Sequence, residues 1–222
     1  GELGHRHKPE FTMLEWYRPG FSLDDLMGEV ASLMELLLGI SRFSRRSYGE
    51  VFEECTGLDP HRASTADLAH YARGELDLQA NGLDRSDWLD LLMSHRVEPR
   101  LAGATFVYDF PQEQASLSRI ETDNGGYRVA RRFELYVDGM ELANGYDELC
   151  DPGELEQRAQ HDSERRQRRG LPAIALDAGL LEAHRTGLPP CCGVAVGFDR
   201  VLMLAGDCQK IDQVLAFAAP RL

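Results

Sequence analysis

An arginine near the C-terminal end of this 222-residue chain stands where it could bind a phosphate group. Residues 193–197 (GVAVG) form a glycine-containing apolar run of the kind that makes a buried strand. An apolar helix is predicted to follow directly and to open with Asp199 and Arg200. A helix N-terminus favours anions, and a guanidinium there can bind two phosphate oxygens at once. The alternative is a core strand and helix with an ordinary surface arginine.

Two carboxylates on a predicted β-hairpin are candidates for binding a cation. The pattern predicts strands over residues 128–137 and 140–143, joined by a tight turn at Asp138-Gly139. If the residues that flank the turn pair, Glu134 faces Ala143 and lies diagonally to Glu141 on one face of the sheet. The two carboxylates are then within reach of a shared cation. The alternative is a pair of solvated carboxylates at the edge of a sheet.

Near the N-terminus, residues 10–18 alternate as a strand does. One face of this strand carries Phe11, Met13, Glu15 and Tyr17. A face that combines aromatic, carboxylate and phenol side chains is typical of the floor of a binding site rather than of plain packing.

Regular elements are predicted around these groups. A helix begins after Ser22, keeps apolar residues at helical spacing from Leu23 to Leu37, and ends at Gly39. The other predicted elements are short helices near 48–55, 64–73, 84–95 and 177–186, a strand over 105–110, a charged helix over 152–169 and a last strand near 214–218. The cluster Arg165, Arg166, Arg168 and Arg169 on the charged helix either faces solvent or touches an acidic partner.

Composition limits the possible partners. The net charge of −13 argues against a broad nucleic-acid surface, and so against tRNA as a partner. No run is long and apolar enough to span a membrane, and no secretory leader is visible. Five cysteines without CxxC spacing indicate reduced thiols in a cytoplasmic protein. His5 and His7 are two possible metal ligands with no third nearby, so a metal site there is disfavoured.

Three segments, in order along the chain, resemble class II aminoacyl-tRNA synthetases of the lysine type. HKPEFTMLEWYR (residues 7–18) and GVAVGFDRVLML (193–204) resemble motifs 2 and 3, and ELANGYDEL (141–149) resembles the substrate-pocket signature. The resemblance runs from residue 7 to about residue 221. It implies an α+β fold in which an antiparallel sheet is flanked by helices. Residues 1–222 would form one catalytic domain, with a helical insertion at about 47–100.

The resemblance implies ATP as a cofactor and assigns residues to it. Phe11 would stack under the adenine, and Met13 would contact the adenine edge through its backbone. Arg200 would lie on the opposite face of the adenine or at the γ-phosphate. His7 would meet the phosphates, and Gly197 would belong to the same nucleotide site.

Magnesium and an amino-acid substrate are implied in the same way. Glu134 and Glu141 match the carboxylates that bind Mg²⁺. The lysine-like substrate would be held by Glu15, Tyr17, Asn144, Glu148 and Ala195. Strict strand alternation points Asn144 away from Glu141, and we expect Gly145 to let the strand bend there.

Within this family the likeness is greatest to the paralogues of lysyl-tRNA synthetase that modify translation elongation factor P. Ala195 stands where lysyl-tRNA synthetases usually carry glycine, and the resemblance links this methyl group to a preference for β-lysine. The implied reaction activates (R)-β-lysine or lysine as an adenylate and transfers it to a lysine side chain of elongation factor P. The alternatives are a catalytic fragment of a lysyl-tRNA synthetase and a non-catalytic relic that binds a nucleotide or a partner.

Some of the family pattern is not found in the 222 residues. Motif 1, which builds the family's homodimer interface, and an arginine expected just before Gly1 are missing, and Lys8 replaces an asparagine. We therefore expect a truncated catalytic domain with little or no activity in ATP–pyrophosphate exchange. We expect a homodimer for a family member that carries motif 1.

Overall fold

The computed structural model describes residues 4–76 and 82–218, and a seven-stranded sheet runs through the middle of them. The strands are β1 (Met13–Pro19), β2 (Phe43–Ser47), β3 (Ala104–Pro111), β4 (Ile120–Thr122), β5 (Arg128–Val137), β6 (Met140–Asp147) and β7 (Cys191–Gly197). Six of them lie in the order β1-β7-β6-β5-β3-β2, and β4 pairs with β5. All pairs are antiparallel except β2 with β3. The expected α+β class is therefore confirmed, with one parallel pair in the sheet.

Helices cover much of both faces of this sheet. They are α1 (Leu23–Leu38), α2 (Tyr48–Thr56), α3 (Thr65–Leu76), α4 (Arg85–Leu92), α5 (Pro152–Arg168), α6 (Ala178–Thr186) and α7 (Phe198–Ala205). A π-helical segment, Met93–Val97, continues α4. The expected helices are thus present with nearly the expected bounds, whereas β2 and β4 were not predicted because both are short and largely polar.

Helix α1 forms where the sequence predicts it, for the reasons that the sequence supplies. Ser22 and Asp25 satisfy each other's backbone N–H groups in a capping box, and Gly39 ends the helix in the left-handed conformation. The buried stripe of α1 packs with α7 against residues of β5, β6 and β7 on one face of the sheet. This packing leaves the opposite face of the same three strands available for other groups.

Helices α2, α3 and α4 pack against the opposite face, over β3 and part of β5. Their core includes the fully buried side chains of Tyr48, Phe52 and Trp88. These helices fall within the segment 47–100, whose interpretation as an insertion in a catalytic domain stays a prediction. Because they cover only one end of the sheet face, they border the open face of β6, β7 and β1.

The hairpin of β5 and β6 differs from the expected register. Asp138 and Gly139 both have positive φ, as a two-residue hairpin turn requires. Beyond the first pairs, however, the register shifts by one residue, and Glu134 lies opposite Asn144 instead of Ala143. The extra residue is Leu142, which is buried in the core beside Ala143. This bulge, rather than a bend at Gly145, brings Asn144 onto the face that carries Glu141.

The expected last strand is wrong. Residues 214–218 form a turn and irregular chain after a 3-10 turn, and within the described residues they pair with no strand. A short apolar run cannot by itself distinguish a strand from a buried turn.

The arginine cluster on α5 divides between its two alternatives. Arg165 and Arg169 form ion pairs with Asp84 and Asp87 at the start of α4, whereas Arg168 is exposed.

The remaining expectations concern membranes and thiols. Among the residues that the structure describes, no helix is long and apolar enough to cross a membrane. All five cysteines are free thiols, so covalent cross-links do not hold these elements together.

The close packing of Gly145 provides a test of the β6 register. An added Cβ at Gly145 would lie 2.4 Å from ring atoms of the fully buried Phe133. We expect Gly145→Ala to lower the free energy of unfolding by about 1–3 kcal/mol. The matched control is Gly28→Ala in α1, where no heavy atom lies within 4 Å. The control should raise that free energy by roughly 0.5–1 kcal/mol. Urea denaturation measures both, and equal stabilities of the two variants would contradict the register.

Candidate active site

The strand register places polar and small residues in two rows across the open face of the sheet. The first row consists of Glu15, Ala195, Asn144 and Glu134, on β1, β7, β6 and β5 in turn. The second row consists of Tyr17, Gly193, Tyr146 and Arg132 on the same strands. Five of the residues expected in the site therefore come together through main-chain pairing. The assigned roles of these residues stay predictions.

A cleft lies beside the first row, where the start of β1 meets the junction of β7 and α7. It encloses about 640 Å³, part of it open to solvent, and its lining includes His7, Phe11, Met13, Glu141, Gly197 and Arg200. The Phe11 ring is half exposed and lies 6.0 Å from the His7 ring, centroid to centroid. A flat aromatic surface beside a cation and a glycine backbone suits a planar base that carries phosphates.

Arg200 is held in this cleft by the hairpin. Its Nη1 donates to the backbone oxygen of Glu141 at 2.8 Å and lies 3.3 Å from the Glu141 carboxylate. Its Nη2 lies 3.3 Å from Nδ1 of His7. The family resemblance assigns Arg200, His7 and Phe11 to one site, and the structure places all three in the lining of one cleft.

Asp199, the residue before Arg200, has a part that the sequence reasoning missed. It is buried, and its carboxylate accepts a 2.7 Å hydrogen bond from the backbone N–H of Thr12. The backbone N–H of Phe198 donates to the Thr12 carbonyl at 3.0 Å. These two bonds fix the start of β1, and with it Phe11, against the helix that carries Arg200. A buried acidic side chain at the start of a helix was the available signal.

Three carboxyl groups lie close to one another beside the cleft. Burial and the neighbouring Glu134 carboxylate raise the pKa of Glu141. Burial and the carboxylates of Glu134 and Glu141 raise the pKa of Glu98 to about 7. Glu98 was not predicted, because a turn far away in sequence carries it to the hairpin.

Crowded carboxylates of this kind fit a divalent cation. Mg²⁺ prefers oxygen ligands and is usually bound by one or two carboxylates, with phosphates and water filling its other positions. Glu134 and Glu141 can supply two such oxygens, and a cation would relieve the repulsion that raises the pKa of Glu141. Within the described part of the chain, no set of three or more His, Cys, Asp or Glu side chains could hold a metal ion by itself.

A second pocket of about 450 Å³ lies over the parts of the two rows that β1, β7 and β6 contribute. Its lining includes Glu15, Tyr17, Leu117, Tyr146, Glu148 and Gly193. Burial, and then Asp147, raises the pKa of Glu148 to about 7, and burial with Glu148 and Glu15 raises the pKa of Tyr17. Two carboxylates and a phenol in a partly desolvated pocket suit a ligand with an ammonium group.

Gly193 makes room for the acidic side of this pocket. A Cβ at Gly193 would lie 2.3 Å from Oε1 of Glu148 and 2.6 Å from the Tyr17 ring. The residues of this lining that the sequence did not identify are Gly193, Tyr146, Leu117 and Val194. Tyr146 follows Asn144 by two positions on β6, so strand alternation could have found it. Leu117 lies on a loop that only the folded chain brings near.

The two cavities meet at Asn144 and Ala195, which line both of them. The lining of one cavity thus carries an aromatic ring and an arginine, and that of the other carries carboxylates. This arrangement can hold a phosphorylated nucleotide and an amine-bearing molecule end to end.

The motif 2 loop departs from the expected pattern at Lys8. Its Nζ forms a 2.8 Å ion pair with Asp212, and the backbone N–H of Ile211 donates to the His5 carbonyl at 2.8 Å. These contacts tie the loop to the turn after α7, and both Lys8 and Ile211 line the cleft.

Sequence comparison identifies the class of protein to which this sheet and its two adjoining pockets belong. The chain matches the family of class II tRNA synthetases (D, K and N) over residues 2–221. It belongs to that family, whose members are synthetase-type catalytic domains.

Particular relatives within the family share a narrower name. The chain is 44% identical over 224 residues to an elongation factor P–(R)-β-lysine ligase of Pseudoalteromonas translucida. It is 44% identical to the ligase of the same name from an Enterobacter species and 43% identical to that of Salmonella dublin. Each alignment covers 99% of this chain and 68% of the relative.

The raised pKa of Glu148 makes the stability of the protein depend on pH. The native state holds this proton more tightly than the unfolded chain, so stability is lost as pH rises from the ordinary glutamate value towards 7. We expect Glu148→Gln to gain stability relative to the unsubstituted protein as pH rises from about 5 to about 7, then to level off. Urea denaturation across this range measures the difference.

The matched control for this experiment is Glu182→Gln, at an exposed position of α6. It makes the same chemical change outside the pocket and should show no such pH dependence. A difference that is flat with pH for Glu148→Gln would mean that Glu148 is solvated.

Proposed function

We propose that the protein activates (R)-β-lysine, or lysine, with ATP and transfers it to a lysine side chain of translation elongation factor P. Membership of the class II synthetase family and the shared name of the relatives support this proposal. The observation that carries it is the junction of the two cavities at Asn144 and Ala195. An amino acid whose ammonium lies in the acidic pocket would present its carboxylate to a nucleotide in the neighbouring cleft.

In this proposal the cleft lined by Phe11 and Arg200 holds ATP. Phe11 stacks on the adenine and Met13 contacts its edge, while Arg200 neutralises phosphate oxygens and His7 contacts them. The rate of such a reaction comes mainly from positioning and from neutralising charge. Mg²⁺ held by Glu134 and Glu141 would supply additional positive charge at the phosphates. Gly197 borders Arg200 directly, since an added Cβ would lie 3.6 Å from Cδ of that arginine.

The second pocket holds the amino acid. Glu148 and Glu15 pair with ammonium groups, and Tyr17 covers them. Asn144 lies in the row between Ala195 and Glu134, where it can donate to the substrate carboxylate. The Ala195 methyl group occupies the centre of that row, and we propose that it favours β-lysine by filling space that glycine would leave open.

The proposed reaction has two steps. In the first, the carboxylate of the amino acid attacks the α-phosphorus and forms an aminoacyl-adenylate with release of pyrophosphate. In the second, the ε-amine of a lysine on elongation factor P attacks the acyl carbon, and AMP leaves. No enzyme nucleophile is needed. A protein of this function would act in the cytoplasm, where translation takes place.

The test is to compare acceptors. The protein is incubated with ATP, Mg²⁺, labelled (R)-β-lysine and either elongation factor P or tRNA. We expect label on elongation factor P and little on tRNA, because the net charge of −13 disfavours a polyanion. The ratio between acceptors does not depend on the absolute rate. Label mainly on tRNA would favour the second candidate, a lysyl-tRNA synthetase domain.

Arg200→Ala tests the proposed nucleotide site independently of catalysis. Equilibrium binding of ATP in the presence of Mg²⁺ should weaken by about tenfold or more, because a charged hydrogen bond to phosphate contributes about 1.5–3 kcal/mol. Arg168→Ala, at an exposed position of α5, should leave binding unchanged. ATP binding that ignores Mg²⁺ and survives the loss of Arg200 would contradict the proposed nucleotide site.

A substitution at Gly193 tests the second pocket, here called the amine pocket, separately from the nucleotide site. We expect Gly193→Ala to weaken binding of (R)-β-lysine by about tenfold or more, since displacing Glu148 removes a charged contact of about 1.5–3 kcal/mol. The affinity for ATP should change much less. Calorimetric titration with each ligand measures this split, and Gly28→Ala serves as a fold control. Equal losses for both ligands would indicate general damage instead of a local effect.

A further inference from the structure

A buried arginine completes one of the two rows across the site. Arg132 lies two residues before Glu134 on the same face of β5, opposite Tyr146 in the register of β5 and β6. Its side chain is only 11% exposed. A buried arginine must recover its lost hydration through other contacts.

The contacts of Arg132 reach both parts of the site. Its Nη2 forms an ion pair with Oε1 of Glu134, the expected magnesium ligand. Its guanidinium carbon lies 5.4 Å from the ring centroid of Tyr146, which lines the amine pocket, and 4.4 Å from that of Phe110. Its Nη1 donates to the Gln114 carbonyl at 2.9 Å. The guanidinium is therefore held by two hydrogen-bond acceptors and contacts two aromatic rings.

Glu134 is oriented as a consequence. One carboxylate oxygen accepts from Arg132, and the other accepts from the hydroxyl of Tyr136. A carboxylate has about four lone-pair sites, so two remain for a cation after these bonds are made. Partners that orient metal ligands in this way commonly change metal affinity by 10–100-fold when they are removed.

We propose that Arg132 is a positioning residue that couples the two halves of the site. Its ion pair orients Glu134 towards the magnesium and the triphosphate, and its contact with Tyr146 holds the aromatic wall of the amino-acid pocket. This inference rests on the proposed function and adds a residue that neither cleft lining includes.

The neighbouring arginine provides a matched control. Arg131 points to the other side of β5 and pairs with Asp109, Nη1 to Oδ1, at 2.5 Å. Like Arg132 it is a strand arginine in an ion pair, but it contacts neither cavity. Loss of either arginine removes one ion-paired charge from β5, and Arg131 is the more exposed of the two.

The test measures the Mg²⁺ concentration that gives half-maximal ATP binding. For Arg132→Met we expect this concentration to rise by about 10–100-fold, whereas for Arg131→Met it should match the unsubstituted protein. A residue that only supports the fold would lower the melting temperature without moving this midpoint. An unchanged midpoint in folded Arg132→Met, or an equal shift in both variants, would overturn the inference.

Arg132→Lys decides the matter if Arg132→Met does not fold. Lysine keeps the charge beside Glu134 but loses the planar contact with Tyr146. The magnesium midpoint should then move much less than in Arg132→Met, while binding of (R)-β-lysine weakens by about 2–30-fold through loss of the cation–π contact. If both quantities are unchanged, Arg132 has no positioning role.

The outcome is separable from that of the proposed function. If the unsubstituted protein binds ATP without any dependence on Mg²⁺, the proposed nucleotide site fails. If it shows that dependence and the Arg132 variants reproduce it unaltered, only the inference about Arg132 fails.

Discussion

One additional residue in β6 organises the site. Leu142 is the extra residue where the register of β5 and β6 shifts, so Leu142 and Ala143 both enter the core. Strand side chains alternate between faces, and without this bulge Glu141 and Asn144 would lie on opposite sides of the sheet. With it, the carboxylate that meets Arg200 and the amide that joins the two cavities share one face. Both cross-sheet rows inherit this register.

The same register creates an electrostatic difficulty. Glu98, Glu134 and Glu141 lie close together, and the pKa values of Glu98 and Glu141 are raised through burial and mutual repulsion. Two arginines offset part of this charge, Arg132 at Glu134 and Arg200 at Glu141. Carboxylates that repel one another in this way are typical of a binding site, where part of the stability of the fold is commonly given up for function.

The scaffold makes this arrangement possible by covering the two faces of the sheet unequally. Helices α1 and α7 fill one face of the central strands, and α2 to α4 fill only one end of the other. The uncovered end becomes two cavities that share Asn144 and Ala195. Small residues at alternate positions of β7 keep this floor low, because Gly193, Ala195 and Gly197 all face the cavities.

The sequence by itself determined the local structure and the types of group in the site. Capping residues and apolar spacing were enough for α1, and the Asp138-Gly139 turn was enough for the hairpin, since these signals act between neighbours in the chain. The site residues assigned from the motifs also include half of the residues that line the two cavities, among them Arg200, Phe11, Glu148 and Ala195.

Only the tertiary structure decided the rest, because it depends on contacts between distant segments. The bulge at Leu142 reflects core packing that no periodicity reveals, and it corrected the partner of Glu134. Glu98, Leu117 and Asp199 gained their positions through turns and long-range hydrogen bonds. Arg165 on α5 pairs with Asp84 and Asp87 at the start of α4, which lie 81 and 78 residues away along the chain. The charge and apolar pattern of a segment predicts which kind of contact it makes, whereas the folded chain determines which distant segment makes that contact.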